Sequence, residues 1–181
     1  PPRPIRFGLL LTSASSPGQT YSVARCVPGV VASFAITESG FALIYAGVTI
    51  TCACLLPYAG RLIDRADILA YSIATSALVA LGAVVTAAAP NVAVLVAGVL
   101  LLRFAGQGLM SHVAMTGTAR FFERDRGKAL ALVSLGYPTA SATLPILTLG
   151  LIDRLGWRIA YIVVGVTIAA CAAAFGVLLI R

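Results

Sequence analysis

The sequence predicts an all-α protein of the polytopic membrane class, folded as a bundle of six transmembrane helices. Of its 181 residues, 60% are hydrophobic and only 10% are charged, whereas a soluble domain carries about 25% charged residues. Apolar runs of roughly 20 residues recur along the chain, and a helix of that length crosses the ~30 Å hydrocarbon core of a bilayer. The runs lack the period-two alternation of barrel strands, so we expect helices.

Each apolar run predicts one span. Span 1 follows a short basic tail, and a basic loop separates span 2 from span 3. A second, longer basic loop separates span 4 from span 5, and a short loop with Arg154 and Arg158 precedes span 6. The six spans therefore fall at about 7–32, 40–58, 69–89, 92–117, 128–149 and 158–180.

The basic residues indicate the topology. Nine of them lie on one side of the predicted membrane, against only Arg154 and Arg158 on the other, and Arg25 and Arg103 lie within spans. The positive-inside rule then predicts a multi-pass plasma-membrane protein, of the kind found in a bacterial inner membrane, with both termini cytoplasmic. The net charge of +7 is explained by these loops, so we expect no nucleic-acid partner. The nine residues are Arg3, Arg6, Arg61, Arg65, Arg120, Arg124, Arg126, Lys128 and Arg181.

Neither metal nor enzyme chemistry is indicated. Cys52 and Cys54 are two residues apart, so on a helix they point to roughly opposite faces and cannot bind one metal together. Ser111 and His112 are adjacent, which turns their side chains about 100° apart, and there is no second histidine to act as a base for a serine nucleophile. We expect packing roles for the four cysteines, no cofactor and no enzymatic activity; for His112 we favour packing over proton relay.

A short internal match suggests a repeat. "LIDR" occurs at 62–65, after span 2, and again at 151–154, after span 5. The offset of three helices places the two copies on opposite sides of the membrane. Inverted three-helix units are how many secondary transporters are built, so we expect inverted repeats at about 7–89 and 92–180.

Arg103 lies near the middle of span 4, where a charged side chain costs ~2.5–3.5 kcal/mol on insertion scales. It should therefore face the bundle interior or a wet cavity. Gln107 and Ser111 follow at intervals of four residues, which places a polar stripe on one helix face. Arg103 and Gln107 either line a transport pathway or fix helix packing, and we favour the pathway.

Further polar and aromatic side chains lie within the spans. Gln19 and Tyr21 belong to "SSPGQTY" (15–21), where hydroxyls, an amide and a proline kink come together. For them and for Arg25 a pathway role and a packing or interfacial role stay open, and for Tyr45 and Tyr137 we favour packing. No Asp or Glu lies well inside a span, so an anionic substrate, or a carboxylate elsewhere in a longer protein, would be the partner of the two arginines.

Four motifs resemble the amino-terminal half of a major facilitator superfamily transporter. They are "GRLIDR" (60–65), "RFAGQG" (103–108), "ARFFERDRGKALAL" (119–132) and "GWR" (156–158), and they occur in the family's order along the whole chain. The resemblance implies that residues 1–181 form a single six-helix domain, with the carboxy-terminal half of the transporter absent from this chain. It also implies that a cytoplasmic loop helps to lock one state of the transporter, through Gly60, Asp64 and Arg65, with Arg120 and Arg126 in the second basic loop.

The resemblance implies secondary transport by alternating access in a lipid bilayer. The loop motif lacks its usual ending, and Gln107 is shifted by one position. "LGYPTAS" (135–141) keeps only part of the drug-antiporter pattern, so the chain looks more similar to the oxalate/formate and monocarboxylate branch. The expected substrate is a small organic anion, moved by proton coupling or exchange. The alternatives are a proton-coupled drug exporter and a structural or regulatory six-helix membrane protein that transports nothing.

Overall fold

The computed structural model describes residues 2–63, 66–122 and 124–180, and this part of the chain is almost entirely helical, with no strand. The all-α prediction is therefore confirmed. Seven helices are described in these ranges: α1 spans Pro2–Ala14, α2 Thr20–Phe34, α3 Glu38–Ile63, α4 Ile68–Ala88, α5 Val92–Phe121, α6 Arg126–Ser134 and α7 Gly136–Ile180.

The first predicted span is divided into α1 and α2. A 3₁₀ turn at Ser16–Gly18 interrupts it, with Pro17 inside the turn and Gln19 in an extended conformation (φ −78°, ψ 151°). Proline has no backbone N–H to continue the α-helical hydrogen bonds. The Ser15 hydroxyl donates to the Thr12 carbonyl at 2.7 Å, so the polar groups at the break are satisfied locally.

Side-chain caps fix the starts of two central helices. Asp67 accepts a hydrogen bond from the Ala70 backbone N–H at 2.9 Å and begins α4, and Asn91 accepts one from Val94 at 3.0 Å and begins α5. Such caps satisfy backbone donors that the first helical turn leaves free. The predicted spans 69–89 and 92–117 match these helices closely.

Two helices depart from regular α geometry. In α5, Arg103–Met110 forms a π-helical segment. In α7, Gly156 has φ +78° and ψ 160°, a conformation that only glycine adopts readily, and it divides 136–155 from 157–180.

Four stretches of the described chain are long and apolar enough to cross a membrane: Glu38–Arg61, Ile68–Ala88, Val92–Phe121 and Arg126–Leu179. The polytopic class is thereby supported. The count of six crossings stays a prediction, because α1 and α2 are each shorter than a full span and the last stretch runs through Gly156.

Two apolar clusters fill the bundle, one toward each end. The cluster near the start of α1 contains Phe7, Leu11, Ile63, Val79, Met110, Val113 and Val133. The other, near the end of α2, contains Val30, Phe41, Leu95, Leu102, Trp157 and Tyr161.

Glycines let the helix backbones meet between the clusters. A Cβ atom on Gly106 would lie 3.0 Å from the Gly18 Cα, and one on Gly82 would lie 2.8 Å from the Leu102 backbone nitrogen. Small residues at such contacts are how membrane helices approach closely. These contacts hold the π-helical segment of α5 against the turn that precedes α2, and so position Arg103.

Candidate functional site

Arg103 is buried, with 7% of its surface exposed, and it joins three helices. Its Nη1 donates to the Thr20 Oγ1 at 3.3 Å and to the Tyr45 hydroxyl. The Tyr45 hydroxyl in turn donates to the Thr20 Oγ1 at 3.1 Å. We call these three side chains, from α2, α3 and α5, the Arg103 cluster.

The Tyr45 ring covers the guanidinium of Arg103, whose Cζ lies 4.4 Å from the ring centroid. An arginine over an aromatic face is attracted by the ring quadrupole, worth about 2 kcal/mol when the pair is desolvated. The buried charge is thus stabilised by a ring and two hydroxyls. No carboxylate contacts it among the described residues.

A cavity of about 210 Å³ lies between α3 and α5 beside this cluster. Arg103 has five N–H donors, and its Nε and Nη2 have no hydrogen-bond partner within the described part of the chain. We call this space the α3–α5 cavity; its lining is Thr49, Cys52, Ala53, Leu56, Arg103, Gln107 and Gly108. A planar anion inside it would find unoccupied donors and a positive charge.

A second cavity, of about 200 Å³, lies between α2 and α3. Glu38 lines one end of it, in the first turn of α3, and Thr20 and Tyr45 line the other. We call this space the α2–α3 cavity; its remaining lining is Val23, Ala24, Val27, Phe41 and Ala42. The Arg103 cluster therefore touches both cavities.

Comparison with known families decides the class of the protein. The model of the Major Facilitator Superfamily matches residues 9–181, nearly the whole chain. The chain belongs to the major facilitator superfamily. No curated protein and no solved structure matches it.

Membership of this superfamily indicates a multi-pass membrane transporter with a small-molecule substrate and a lipid bilayer as its surroundings. The superfamily is one of transporters and not of enzymes. In the described residues no three His, Cys, Asp or Glu side chains gather into a group that could hold a metal ion.

Gln107 lines the α3–α5 cavity with Arg103, as the sequence predicts for residues on one helix face. Its Oε1 and the Ser111 Oγ are enclosed and have no hydrogen-bond partner among the described residues. The Tyr137 hydroxyl lies toward Ser111 without meeting full hydrogen-bond geometry. Tyr137 therefore stands one helix turn beyond the cavity and not on its wall.

Three predicted pathway residues are held by local hydrogen bonds at the α1–α2 break or within α2. The Gln19 Nε2 donates to the Ser15 Oγ at 3.1 Å, the Tyr21 hydroxyl to the Ser16 Oγ at 2.8 Å, and the Arg25 Nε to the Tyr21 carbonyl at 3.3 Å. None of the three lines either cavity. In this conformation the geometry favours a structural role for these three residues.

Of the predicted gating residues, Gly60, Arg120 and Arg126 lie outside the linings of the two cavities. A Cβ atom on Gly60 would lie 3.5 Å from the His112 Nε2, so α3 and α5 touch there. Arg120 donates from Nη2 to the Ile63 carbonyl at 2.7 Å and so caps the last turn of α3, whereas Arg126 is exposed at the start of α6. Asp64 and Arg65 lie outside the described residues.

Sequence reasoning missed Thr20, Thr49 and Cys52. Thr20 carries a signal that was available: it is the first helical residue after a proline-glycine break, where a hydroxyl is close to exposed backbone. Cys52 was predicted to pack, but it lines the cavity with its thiol toward the Leu100 carbonyl, 3.7 Å away. Cys54 and Cys171 are exposed on the bundle surface.

Proposed function

We propose that this chain is the amino-terminal six-helix half of a secondary transporter that moves a small organic anion, a monocarboxylate or dicarboxylate, by alternating access. Transport would be coupled to protons or run as exchange, and a carboxy-terminal half would close the pathway. The two inverted repeats, at about 7–89 and 92–180, would rock around a site near the membrane midplane. Both termini would lie in the cytoplasm.

One observation carries the proposal: a buried arginine with unoccupied Nε and Nη2 donors lines a cavity and meets no carboxylate among the described residues. Its place supports a midplane site. Arg103 lies about 17 Å along α5 from the first residue of that helix, since each residue adds ~1.5 Å. That depth is close to half of the ~30 Å hydrocarbon core.

The donor set favours a carboxylate over a cation. Arg presents its donors in a planar fork, which matches the two oxygens of a carboxylate. A lipophilic cation of the kind carried by drug exporters would meet the positive charge of Arg103 and no described acidic side chain in that cavity. The anion branch near oxalate/formate and monocarboxylate carriers is therefore the substrate class that we propose.

Uptake by the full-length transporter in proteoliposomes tests the proposal. The substrates are radiolabelled acetate, propionate, oxalate and succinate, with a lipophilic cation as the alternative. Removing one partner of a buried charge pair costs about 2–5 kcal/mol, so Arg103→Gln should lower carboxylate uptake by at least ~30-fold. Arg103→Lys keeps the positive charge but loses the planar fork of donors. Its carboxylate uptake should fall between that of the wild type and that of Arg103→Gln.

Arg154→Gln is the matched control, because Arg154 is exposed and lies outside both cavities. Carboxylate uptake that survives Arg103→Gln unchanged would exclude Arg103 from substrate binding. If the cation is taken up and no carboxylate is, the proposal of an anion carrier is wrong and that of a drug exporter takes its place.

A further inference from the structure

One face of α3 lines both cavities. Residues 38, 41, 42 and 45 border the α2–α3 cavity, and residues 49, 52, 53 and 56 border the α3–α5 cavity. This spacing of three and four residues is that of a single helix face. The stretch from Glu38 to Leu56 covers ~27 Å at ~1.5 Å per residue, nearly the ~30 Å thickness of the hydrocarbon core.

The Arg103 cluster stands where the two cavities meet. Thr20 and Tyr45 belong to the wall of the first, and Arg103 belongs to the wall of the second. Three hydrogen bonds and a ring contact tie these side chains together across the face of α3. A solute that follows α3 from Glu38 into the α3–α5 cavity therefore meets Tyr45 on the way.

We propose that the hydrogen bond between Tyr45 and Arg103 is a gate between the two cavities, and that a carboxylate opens it by taking the guanidinium. The identity of the opening ligand rests on the proposed function; the position of the gate does not. A guanidinium–carboxylate pair carries charge on both partners and can form two parallel hydrogen bonds, whereas the hydrogen bond to the Tyr45 hydroxyl carries charge on the guanidinium alone, so the carboxylate outcompetes the hydroxyl. Tyr45 keeps a partner after release, because its hydroxyl already donates to Thr20.

This role differs from that of a residue that only holds Arg103 in place. A positioning residue raises affinity for the ligand, so that its loss weakens binding. A gate that holds the guanidinium against Tyr45 opposes the movement of Arg103 toward the ligand and so lowers affinity, and its loss tightens binding. Tyr45→Phe separates the two, since it removes the hydroxyl and keeps the ring over the guanidinium.

The first measurement uses Cys52, a native thiol on the wall of the α3–α5 cavity. The full-length transporter carries Cys54→Ala, and 2-sulfonatoethyl methanethiosulfonate is added outside intact cells, the side on which the proposed topology places Glu38. The adduct at Cys52 is followed by mass spectrometry. Tyr45→Phe should speed the reaction roughly tenfold, the equilibrium value of a hydrogen bond to a charged group.

Two controls accompany this measurement. Tyr58→Phe changes an exposed tyrosine on the same helix and should leave the Cys52 rate unchanged. Glu38→Cys should react in every background and so proves that the reagent reaches this face. Tyr45→Ala removes the ring as well as the hydroxyl and should speed the reaction at least as much as Tyr45→Phe. Equal Cys52 rates in the wild type, in Tyr45→Phe and in Tyr45→Ala would overturn the gate.

The second measurement is equilibrium binding of radiolabelled propionate and succinate to the purified full-length protein. Tyr45→Phe should lower Kd several-fold, about the factor that a net hydrogen bond contributes. A raised Kd makes Tyr45 a positioning residue and overturns the gate. If the wild type binds no carboxylate, the proposed function fails and the carboxylate is excluded as the opening ligand, while the thiol rates alone decide whether Tyr45 closes the passage.

Discussion

The ring of Tyr45 lies over the guanidinium of Arg103, with 4.4 Å between the ring centroid and Cζ. The two residues are 58 positions apart in the chain and belong to different helices. Because an arginine inside an apolar bundle loses its hydration, the ring face and the two hydroxyls of the Arg103 cluster replace part of that hydration. The same contact links the stability of the bundle to its candidate binding site.

Substitution of Tyr45 should separate the hydroxyl from the ring. Tyr45→Phe should lower the free energy of unfolding by about 1–2 kcal/mol. A hydrogen bond to a charged group contributes ~1.5–3 kcal/mol, and Arg103 keeps its other hydrogen bond, to Thr20. Tyr45→Leu should cost more, since the cation–π contact of about 0.5–2 kcal/mol is lost as well. Unfolding by SDS titration in mixed micelles measures both. Equal losses for the two variants would show that the ring contributes nothing.

Substitution of Gly82 should test the close contact between α4 and α5. A Cβ atom there would lie 2.8 Å from the Leu102 nitrogen and 2.9 Å from its Cα. Since both are backbone atoms that cannot turn away, Gly82→Ala should destabilise the protein by about 1–3 kcal/mol. Gly47→Ala is the matched control: nothing lies within 4 Å of its Cβ position, and alanine should stabilise the helix by up to ~1 kcal/mol. The same loss in both variants would contradict the contact.

Substitution of Arg158 should loosen the end of α4. Its Nη1 donates to the carbonyls of Ala87 and Ala89, and its guanidinium lies over two aromatic rings, one of them that of Trp157. Arg158→Met should cost about 2–3 kcal/mol, since two carbonyls lose a charged donor. Arg154→Met, which replaces an exposed arginine on the other side of Gly156, should have no measurable effect. Thermal melts that do not distinguish the two variants would refute the capping role.

Substitution of Gly156 should test the break in α7. Its φ of +78° with ψ of 160° lies in a region that is essentially restricted to glycine. Gly156→Ala should lower the free energy of unfolding by about 1–3 kcal/mol, the cost of holding a side chain in that conformation. Gly150→Ala, at a helical position with open space around its Cβ, should be neutral or stabilising. A neutral Gly156→Ala would mean that α7 is continuous through this point.

Part of the site was predictable from the sequence and part was not. A mid-span arginine must face the interior, because the free energy of a charge in hydrocarbon depends chiefly on its depth. Gln107 beside it follows from helical spacing. That Thr20 and Tyr45 are the partners of Arg103 could not be predicted, since they come from positions 83 and 58 residues away and reach Arg103 only through helix packing.

Helix packing also explains one of the departures from regular helix. The split between α1 and α2 has a local signal in Pro17. The π-helical segment at Arg103–Met110, by contrast, was not predicted from the sequence of span 4. That segment packs against Gly18 through Gly106, and Leu102, the residue before it, packs against Gly82. Its geometry therefore belongs to the packed bundle and not to the sequence of α5.

The sequence by itself determined the helical class, the approximate limits of the central helices, the family and the need to bury Arg103. The family follows from the motifs and their order, and the others follow from local composition, because hydrocarbon selects for length, apolarity and internal hydrogen bonds along one segment at a time. The tertiary structure decided which hydroxyls and which ring meet Arg103, and that α3 runs past it with a cavity on either side. Those relationships depend on how closely the helices approach one another, and that spacing is determined jointly by glycines from distant parts of the chain.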